Sequence, residues 1–334
     1  MPQVKTAFVL HSFYEELLDY CYAYALSMPD SADIYITVGS EKLGKAAKAV
    51  FEKGPWKSVT IVPIENMGRD VSALLVGAAP YLDKYDYVCF VHDKKVPHLS
   101  YGIAGHDFSE RCFGSLLASR QYVENILSLF QREPRLGMLM PPPPNYADYF
   151  GSIGGEWGKN FEVVEKLYEM LDLKSPIDKE KELIAPLGTM FWFRPEALRP
   201  LLDYGWKYED FPQEPIKPDG TLLHAVERIY SLAAQDAGYY SAWAIPTGYA
   251  RMELSKTTYI LRTLNVSMFR VYGPNTLSAT TQMMDYYTRF PSGGGNPLAL
   301  RAFVKHKLKL HCPRWLWKAA KSVYGFFGGK KRAA

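Results

Sequence analysis

An α/β fold on a mostly parallel sheet is what this sequence predicts, and three observations carry it. Short runs of β-branched and aromatic residues recur: Thr6 to Leu10, Asp33 to Val38, Val59 to Ile64 and Tyr87 to Val91. Stretches of helical spacing lie between them, and strand–helix alternation with connections this short implies parallel strands and right-handed crossovers. The fourth run, Tyr87-Val88-Cys89-Phe90-Val91, shows no polar alternation, as expected of a strand covered on both faces, and it stops abruptly at His92-Asp93-Lys94-Lys95.

The elements follow in order. Thr6 to Leu10 is an apolar strand closed by His11-Ser12, and Phe13 to Ser27 has helical spacing through Phe13, Leu17, Leu18, Cys21 and Ala25. After the strand Asp33 to Val38 comes a helix, Glu41 to Glu52, stopped by Gly54-Pro55. The strand Val59 to Ile64 leads through a polar loop, Glu65 to Asp70, into a helix Val71 to Leu82, with Asp70 placed to cap it. Ser109 to Gln131 reads as a helical pair, and Leu136 to Met140 as a strand that runs into four prolines, which stay extended. Asp148 to Asn160, with Tyr149, Phe150 and Trp157, offers ring faces to a sugar or packs on the domain. Phe161 to Leu171 is a helix, Leu187 to Arg194 a strand, and Pro195 opens another helix at its first position. Asp219-Gly220-Thr221 starts the helix Leu222 to Asp236, with Asp219 placed to cap it and His224, Glu227 and Arg228 on one face. Tyr239 to Ile245 is the last strand, and a weaker region ends in the flexible joint Ser292-Gly293-Gly294-Gly295.

Composition narrows the classes. The chain has 334 residues, 48% hydrophobic and 22% charged, which suits one large α/β domain with an appendage. Cys21, Cys89, Cys112 and Cys312 show no CxxC spacing, which argues against a zinc site or a disulfide framework and for a reducing compartment. The N-terminus runs straight into a strand, so no signal peptide is expected. No stretch of about 18 apolar residues occurs, so no membrane span is expected. No GxGxxG follows the first strand, so a dinucleotide fingerprint is absent.

The net charge of +4 is unevenly spread: ten of the 39 Lys and Arg lie from Pro297 onward, where there is no Asp or Glu. In this tail Leu300, Phe303, Val304 and Leu308 share one helical face and Arg301, Lys305 and Lys309 another; Trp315, Leu316, Val323 and Phe326 resume the pattern. That is the pattern of a helix lying in a membrane interface. A helix docked on the domain is the alternative. The tail has no groove-reading motif and is rich in Trp and Phe, so no nucleic-acid partner is expected.

In open α/β sheets ligands bind outside the carboxyl ends of the strands. The His92–Lys95 grouping sits at such an end and suits an anionic ligand, with or without a divalent cation; a solvated turn is the plain alternative. Arg69, beside Gly68, can reach phosphate oxygens with its planar fork, or form an ion pair with Asp70 or Asp93.

Five stretches in order over roughly residues 5–265 resemble the rhamnan synthesis protein F family of bacterial glycosyltransferases. They are Asn66-Met67-Gly68-Arg69-Asp70, His92-Asp93-Lys94-Lys95, Gly137-Met138-Leu139-Met140-Pro141-Pro142, Gly188-Thr189-Met190-Phe191-Trp192-Phe193-Arg194-Pro195 and Asp219-Gly220-Thr221-Leu222-Leu223-His224-Ala225-Val226-Glu227-Arg228. The resemblance implies a GT-A-like nucleotide-diphospho-sugar transferase αβα sandwich over residues 1–265; the residue pattern adds a connecting segment 266–296 and the basic amphipathic tail 297–334. The resemblance also implies transfer of a sugar, often rhamnose from a dTDP-activated donor, to a glycan or lipid-linked glycan of the cell-surface polysaccharide or lipopolysaccharide. With the tail on an anionic membrane, the place of action would be the cytoplasmic face of the cell membrane.

The site residues follow from the same resemblance. In that fold an Asp-x-Asp holds a metal on the donor diphosphate. Here the place is taken by His92-Asp93-Lys94, so either Asp93 binds Mg or Mn, or Lys94 and Lys95 neutralise the diphosphate directly. Donor contacts are expected from His11, Ser12, Asn66, Gly68, Arg69, Asp70, His92, Lys94 and Lys95. Inverting transfer needs a base for the acceptor hydroxyl, for which Glu227 is the first candidate and Asp219 the second; an ion pair with Arg228 is the structural alternative for Glu227. The rival class is a non-catalytic carbohydrate- or nucleotide-sugar-binding scaffold, favoured by the single acidic residue at the metal position.

Overall fold

The computed structural model describes residues 4–95, 102–143 and 157–272. The tail 297–334, the Ser292-Gly293-Gly294-Gly295 joint and the aromatic residues Tyr149 and Phe150 lie outside the described residues. The chain divides into two compact units, Met1–Ile260 and Leu261–Ala334. In the second, residues 261–272 are described and are helical.

The strands are β1 (Thr6–Ser12), β2 (Asp33–Val38), β3 (Ser58–Pro63), β4 (Tyr87–His92), β5 (Leu136–Met140), β6 (Phe191–Phe193) and β7 (Tyr240–Trp243). They form a sheet in the order β3-β2-β1-β4-β6-β5-β7. The pairs β3–β2, β2–β1, β1–β4 and β5–β7 are parallel, while β6 runs antiparallel to both neighbours. The helices are α1 (Leu18–Ala25), α2 (Glu41–Phe51), α3 (Arg69–Ser72), α4 (Gly102–Leu117), α5 (Arg120–Arg132), α6 (Phe161–Met170), α7 (Arg199–Leu202), α8 (Leu222–Asp236) and α9 (Thr247–Tyr272).

Successive residues of a strand point to opposite faces, and here both faces are covered. Val9, Val88, Phe90, Phe191 and Phe193 pack with Leu74 after α3, Leu167 of α6 and Ile229 of α8. Phe8, Leu10, Cys89, Val91 and Trp192 pack with Cys21 of α1, Phe51 of α2, Phe113 of α4 and Phe130 of α5. The polar atom of Trp192, a fully buried side chain, is satisfied: Nε1 donates to the Leu116 carbonyl at 3.0 Å. Ser40 and Ser119 cap α2 and α5 through the amides of Leu43 and Tyr122.

Four local expectations are corrected. The helix expected over Val71 to Leu82 is one α turn, α3, followed by a π-helical stretch Ala73–Ala78 and a 3-10 turn Ala79–Tyr81; Pro80 has no N–H to continue an α ladder. Its N-cap is Gly68, not Asp70. The strand expected over Leu187 to Arg194 shrinks to Phe191–Phe193, because Gly188 and Thr189 adopt φ of +94° and +53°, which no extended chain accommodates. The weak region after Ile245 contains the 26-residue helix α9. Its Leu254 and Tyr259 are about 70% exposed, so it bears little of the buried stripe that makes a helix legible.

The sheet order places a topological switch between β1 and β4. From β1 the chain winds outward to β2 and β3, then returns to β4 on the other flank of β1. The carboxyl ends of these neighbours, with His11 paired to His92, frame the crevice where ligands bind in open sheets.

Candidate functional site

Two carboxylates meet this crevice in different ways. Asp93, 6% exposed, follows β4 directly. Its Oδ2 accepts from the Ser12 hydroxyl at 3.1 Å and from the amides of Phe13 and Tyr14 at 2.8 and 2.9 Å. This clasp holds the end of β1 extended and delays the following helix, which begins as a 3-10 turn at Glu15. Burial pushes the Asp93 carboxyl up, against the pull of those donors and of His92. Oδ1 of Asp93 is buried with no hydrogen-bond partner.

Asp70, in the first turn of α3, keeps part of its surface open. Burial pushes its carboxyl up, but His92, His11, Lys94 and a hydrogen bond from the Thr189 side chain outweigh it and hold Asp70 below the usual carboxylate range. His11 is buried with Nδ1 3.1 Å from Thr37 Oγ1. Burial, opposed by Asp70 and reinforced by His92, brings the His11 pKa down to about 4, so its ring is neutral near pH 7. The ring nitrogens of His92 face two carbonyls, Nδ1 that of Asp93 at 3.0 Å and Nε2 that of Gly188 at 2.8 Å. A neutral ring can donate to only one of them.

The turn at Gly188–Thr189 ties the crevice to α8. The Gly188 amide donates to Glu227 Oε1 at 2.6 Å while its carbonyl faces His92 Nε2. A Cβ on Gly188 would lie 2.6 Å from the Phe108 ring, so only glycine fits under α4. Glu227 Oε2 lies 3.2 Å from Nη1 of Arg228, the ion pair that the sequence leaves open. His224, one turn earlier, bonds through Nδ1 to the Thr221 hydroxyl at 2.7 Å, and burial, opposed by Glu227 and Asp219, holds its pKa below the ordinary value.

His11, Asp70, His92 and Lys94 are thus brought together, with Ser12 and Asp93 clasped beside them and Glu227 joined through Gly188. The other candidates lie further out. Lys95 pairs with Glu16 and lies 4.6 Å from the Tyr14 ring centre. Arg69 donates from Nε to Glu214 at 2.5 Å, rather than to Asp70 or Asp93, with its side chain half exposed. Gly68, at φ +81°, is pressed against Phe211, and Asn66 is exposed on the loop before it. Asp219 is not a helix cap, since α8 starts from Thr221 without a side-chain cap. It accepts from Lys159 N at 3.0 Å and Asn160 Nδ2 at 2.6 Å, fastening the turn before α6. Although burial raises it, those bonds and Arg228 hold its carboxyl below the usual range. Trp157 is buried against Phe161 rather than offered to solvent.

Sequence reasoning missed the role of Gly188–Thr189. The signal was a glycine inside a strand pattern, which marks a break or a close backbone approach. Cys112 of α4 was also missed as a neighbour. Burial, eased by Lys94 and Arg111, pushes its thiol up to about 12, which leaves it inert.

Whether a divalent cation suits the crevice can be judged from the donors. Asp93 Oδ1 is one unpartnered oxygen, but the described residues contain no group of three or more His, Cys, Asp and Glu arranged to hold a metal. The described protein atoms do not by themselves form a cation cage.

The family model of rhamnan synthesis protein F matches residues 1–239. Two proteins named Uncharacterized protein WxcX, from two strains of Xanthomonas campestris pv. campestris, are 30% identical over 232 residues. The match takes in 69% of this chain and 31% of theirs, so the chain spans about a third of the length of these curated relatives. Among solved structures, that of S. aureus TarS 1–349 in complex with UDP is 8% identical, with 90% of this chain and 78% of that one covered and a TM-score of 0.34. The crystal structure of a mycobacterial protein is 11% identical, with 58% and 55% covered and a TM-score of 0.30.

Proposed function

Because the chain belongs to the rhamnan synthesis protein F family, we propose that it is a glycosyltransferase. It moves a sugar, rhamnose from a dTDP donor, onto a growing cell-surface polysaccharide or lipopolysaccharide glycan with inversion. The observation that carries this reading is the grouping of Lys94, His92, His11 and Asp70 at the carboxyl ends of β1 and β4, where an open sheet takes its ligand.

In this reading the acceptor oxygen bonds to the anomeric carbon, its proton passes to Glu227, and the bond from that carbon to the diphosphate breaks. The leaving diphosphate is stabilised by fixed positive groups, with Lys94 first and Arg69 after release from Glu214. Glu227 accepts from Gly188 and Arg228, which fixes its orientation, and a carboxylate retains lone pairs beyond those two bonds. Residues 297–334 would hold the protein on an anionic membrane at the cytoplasmic face. Among the described residues no helix is long and apolar enough to cross a membrane. Co-sedimentation with anionic vesicles, with and without residues 297–334, tests that attachment: equal binding of both forms would exclude it.

The deciding experiment is a screen of dTDP-, UDP- and GDP-sugars for binding and transfer. Transfer to a glycan or lipid-linked acceptor supports the reading, and failure to bind any nucleotide sugar overturns it. The engagement of both Glu227 oxygens favours one second reading, a scaffold that binds the nucleotide sugar without turning it over; binding without turnover would identify it.

A further inference from the structure

Gly188 gives both of its backbone polar atoms to side chains. Its amide donates to Glu227 Oε1 of α8 at 2.6 Å, and its carbonyl lies 2.8 Å from Nε2 of His92, the last residue of β4. The antiparallel register that sets Phe191 of β6 opposite Phe90 brings this turn against the end of β4. The Thr189 amide closes the turn by donating to the Pro186 carbonyl at 2.7 Å. A carbonyl oxygen only accepts, so a ring nitrogen bonds to it only as N–H. The other ring nitrogen of His92, Nδ1, is 3.0 Å from the Asp93 carbonyl. Both nitrogens of this buried ring are thus turned to main-chain carbonyls, and neither is left for a phosphate oxygen. Resting on the reading of Glu227 as the base, we propose that His92 is a positioning residue: it holds Glu227 toward the acceptor through the Gly188 turn and does not touch the donor.

Glu227 has two anchors, and they differ in what they refer it to. Arg228 Nη1 reaches Glu227 Oε2 at 3.2 Å and the His224 carbonyl at 2.8 Å, so this anchor belongs to the helix that carries Glu227. The Gly188 amide belongs to the chain entering β6, so it sets Glu227 relative to the sheet. His92 in turn fixes Gly188 to the end of β4, where the crevice opens. A general base works only within hydrogen-bond reach of the proton that it takes. A slack Gly188 turn would therefore cost turnover while leaving the groups that hold the diphosphate in place.

The test uses the full chain with two amide replacements. In His92→Gln the side-chain amide reaches the place of Nε2 and still donates to Gly188; in His92→Asn it reaches only the place of Nδ1. With dTDP-rhamnose and a lipid-linked glycan acceptor, His92→Asn should lower kcat about 10–100-fold, the scale of a displacement of about 1 Å, and leave calorimetric donor affinity within about twofold. His92→Gln should recover most of the turnover. Equal losses of kcat in the two variants, or a loss of donor affinity that matches the loss of kcat, would overturn the proposal. Two signals do not depend on turnover. In unliganded wild type, nitrogen NMR of the histidine side chains, with His92 assigned by its absence from His92→Gln, should show hydrogen on Nε2. The Gly188 amide should exchange faster in His92→Asn than in His92→Gln. A His92 ring with hydrogen on Nδ1 alone, or equal exchange in the two variants, would overturn the link through Gly188. If wild type transfers no sugar, the reading of Glu227 falls and the positioning role with it, while the nitrogen and amide signals would show separately that the contacts stand.

Discussion

Replacing Asp93 should separate its structural clasp from any role at the ligand. Its Oδ2 gathers the Ser12 hydroxyl and the amides of Phe13 and Tyr14. Asp93→Ala would leave both amides and the hydroxyl without their acceptor. A buried donor left unsatisfied costs about 1–3 kcal/mol, and these two amides are only part-buried, so water can reach them once the carboxylate is gone. Against that stands relief of the carboxylate's burial, which raises its pKa in the folded protein. The net expectation is a loss of about 2–4 kcal/mol, or a fall in Tm of roughly 4–16 °C at about 2–4 °C per kcal/mol for a domain of this size. Asp93→Asn should behave differently. Its amide oxygen can hold the same donors and carries no ionic desolvation, so the loss should stay below about 1 kcal/mol. Chemical denaturation monitored by tryptophan fluorescence measures both. A stable Asp93→Ala, or an Asp93→Asn equally destabilised, would refute the clasp. Activity of the asparagine variant in excess chelator then judges the cation: full turnover leaves the diphosphate to Lys94 and its neighbours.

Three further outcomes are expected. Glu227→Gln should lower turnover by about 10²–10⁴-fold with donor affinity little changed, because glutamine can still accept from the Gly188 amide but takes no proton; steady-state kinetics beside calorimetry would show a base assignment to be wrong if turnover survives. Gly68→Ala should cost about 2 kcal/mol or more, since its φ is +81° and a Cβ would lie 2.7 Å from Phe211 and Ser72, and unchanged denaturation would contradict this crowding. His11, whose pKa falls from 6.5 to about 4 on burial, contributes stability that is fully present above pH 6.5 and is lost as pH falls toward 4, on the order of 3 kcal/mol at about 1.36 kcal/mol per unit; His11→Gln should flatten the stability profile across that window, and a profile as steep as wild type would assign the slope to other groups.

Most strands were legible because each is a continuous apolar run closed by polar residues. β2 and β5 lie at the expected residues, and β1, β3 and β4 within two of them. What periodicity could not show was direction and partner. β6 follows a left-handed turn at Gly188–Thr189, and the same composition would serve a strand of either sense. The cap expectations for Asp70 and Asp219 failed for a common reason. Each carboxylate found a stronger set of donors or cations in space than the helix next to it offered in sequence: Thr189, His92, His11 and Lys94 for Asp70, and Lys159 and Asn160 for Asp219.

The same competition explains how the crevice can hold several carboxylates and still suit an anion. Asp93 is held through Oδ2 by the amides of Phe13 and Tyr14 and Glu227 in part by that of Gly188, while Asp219, further out, is held by the amide of Lys159. Backbone amides are fixed by the fold, so they stabilise a carboxylate without drawing in a flexible cationic side chain. Lys94 Nζ lies 4.8 Å from the centre of the Phe108 ring, a surface that attracts an ammonium without neutralising its charge. The outer cations are placed differently, Arg69 on Glu214 and Lys95 on Glu16. An entering diphosphate would therefore meet Lys94 first and would have to compete with Glu214 for Arg69, so removing Glu214 should strengthen diphosphate binding, whereas removing Lys94 should weaken it.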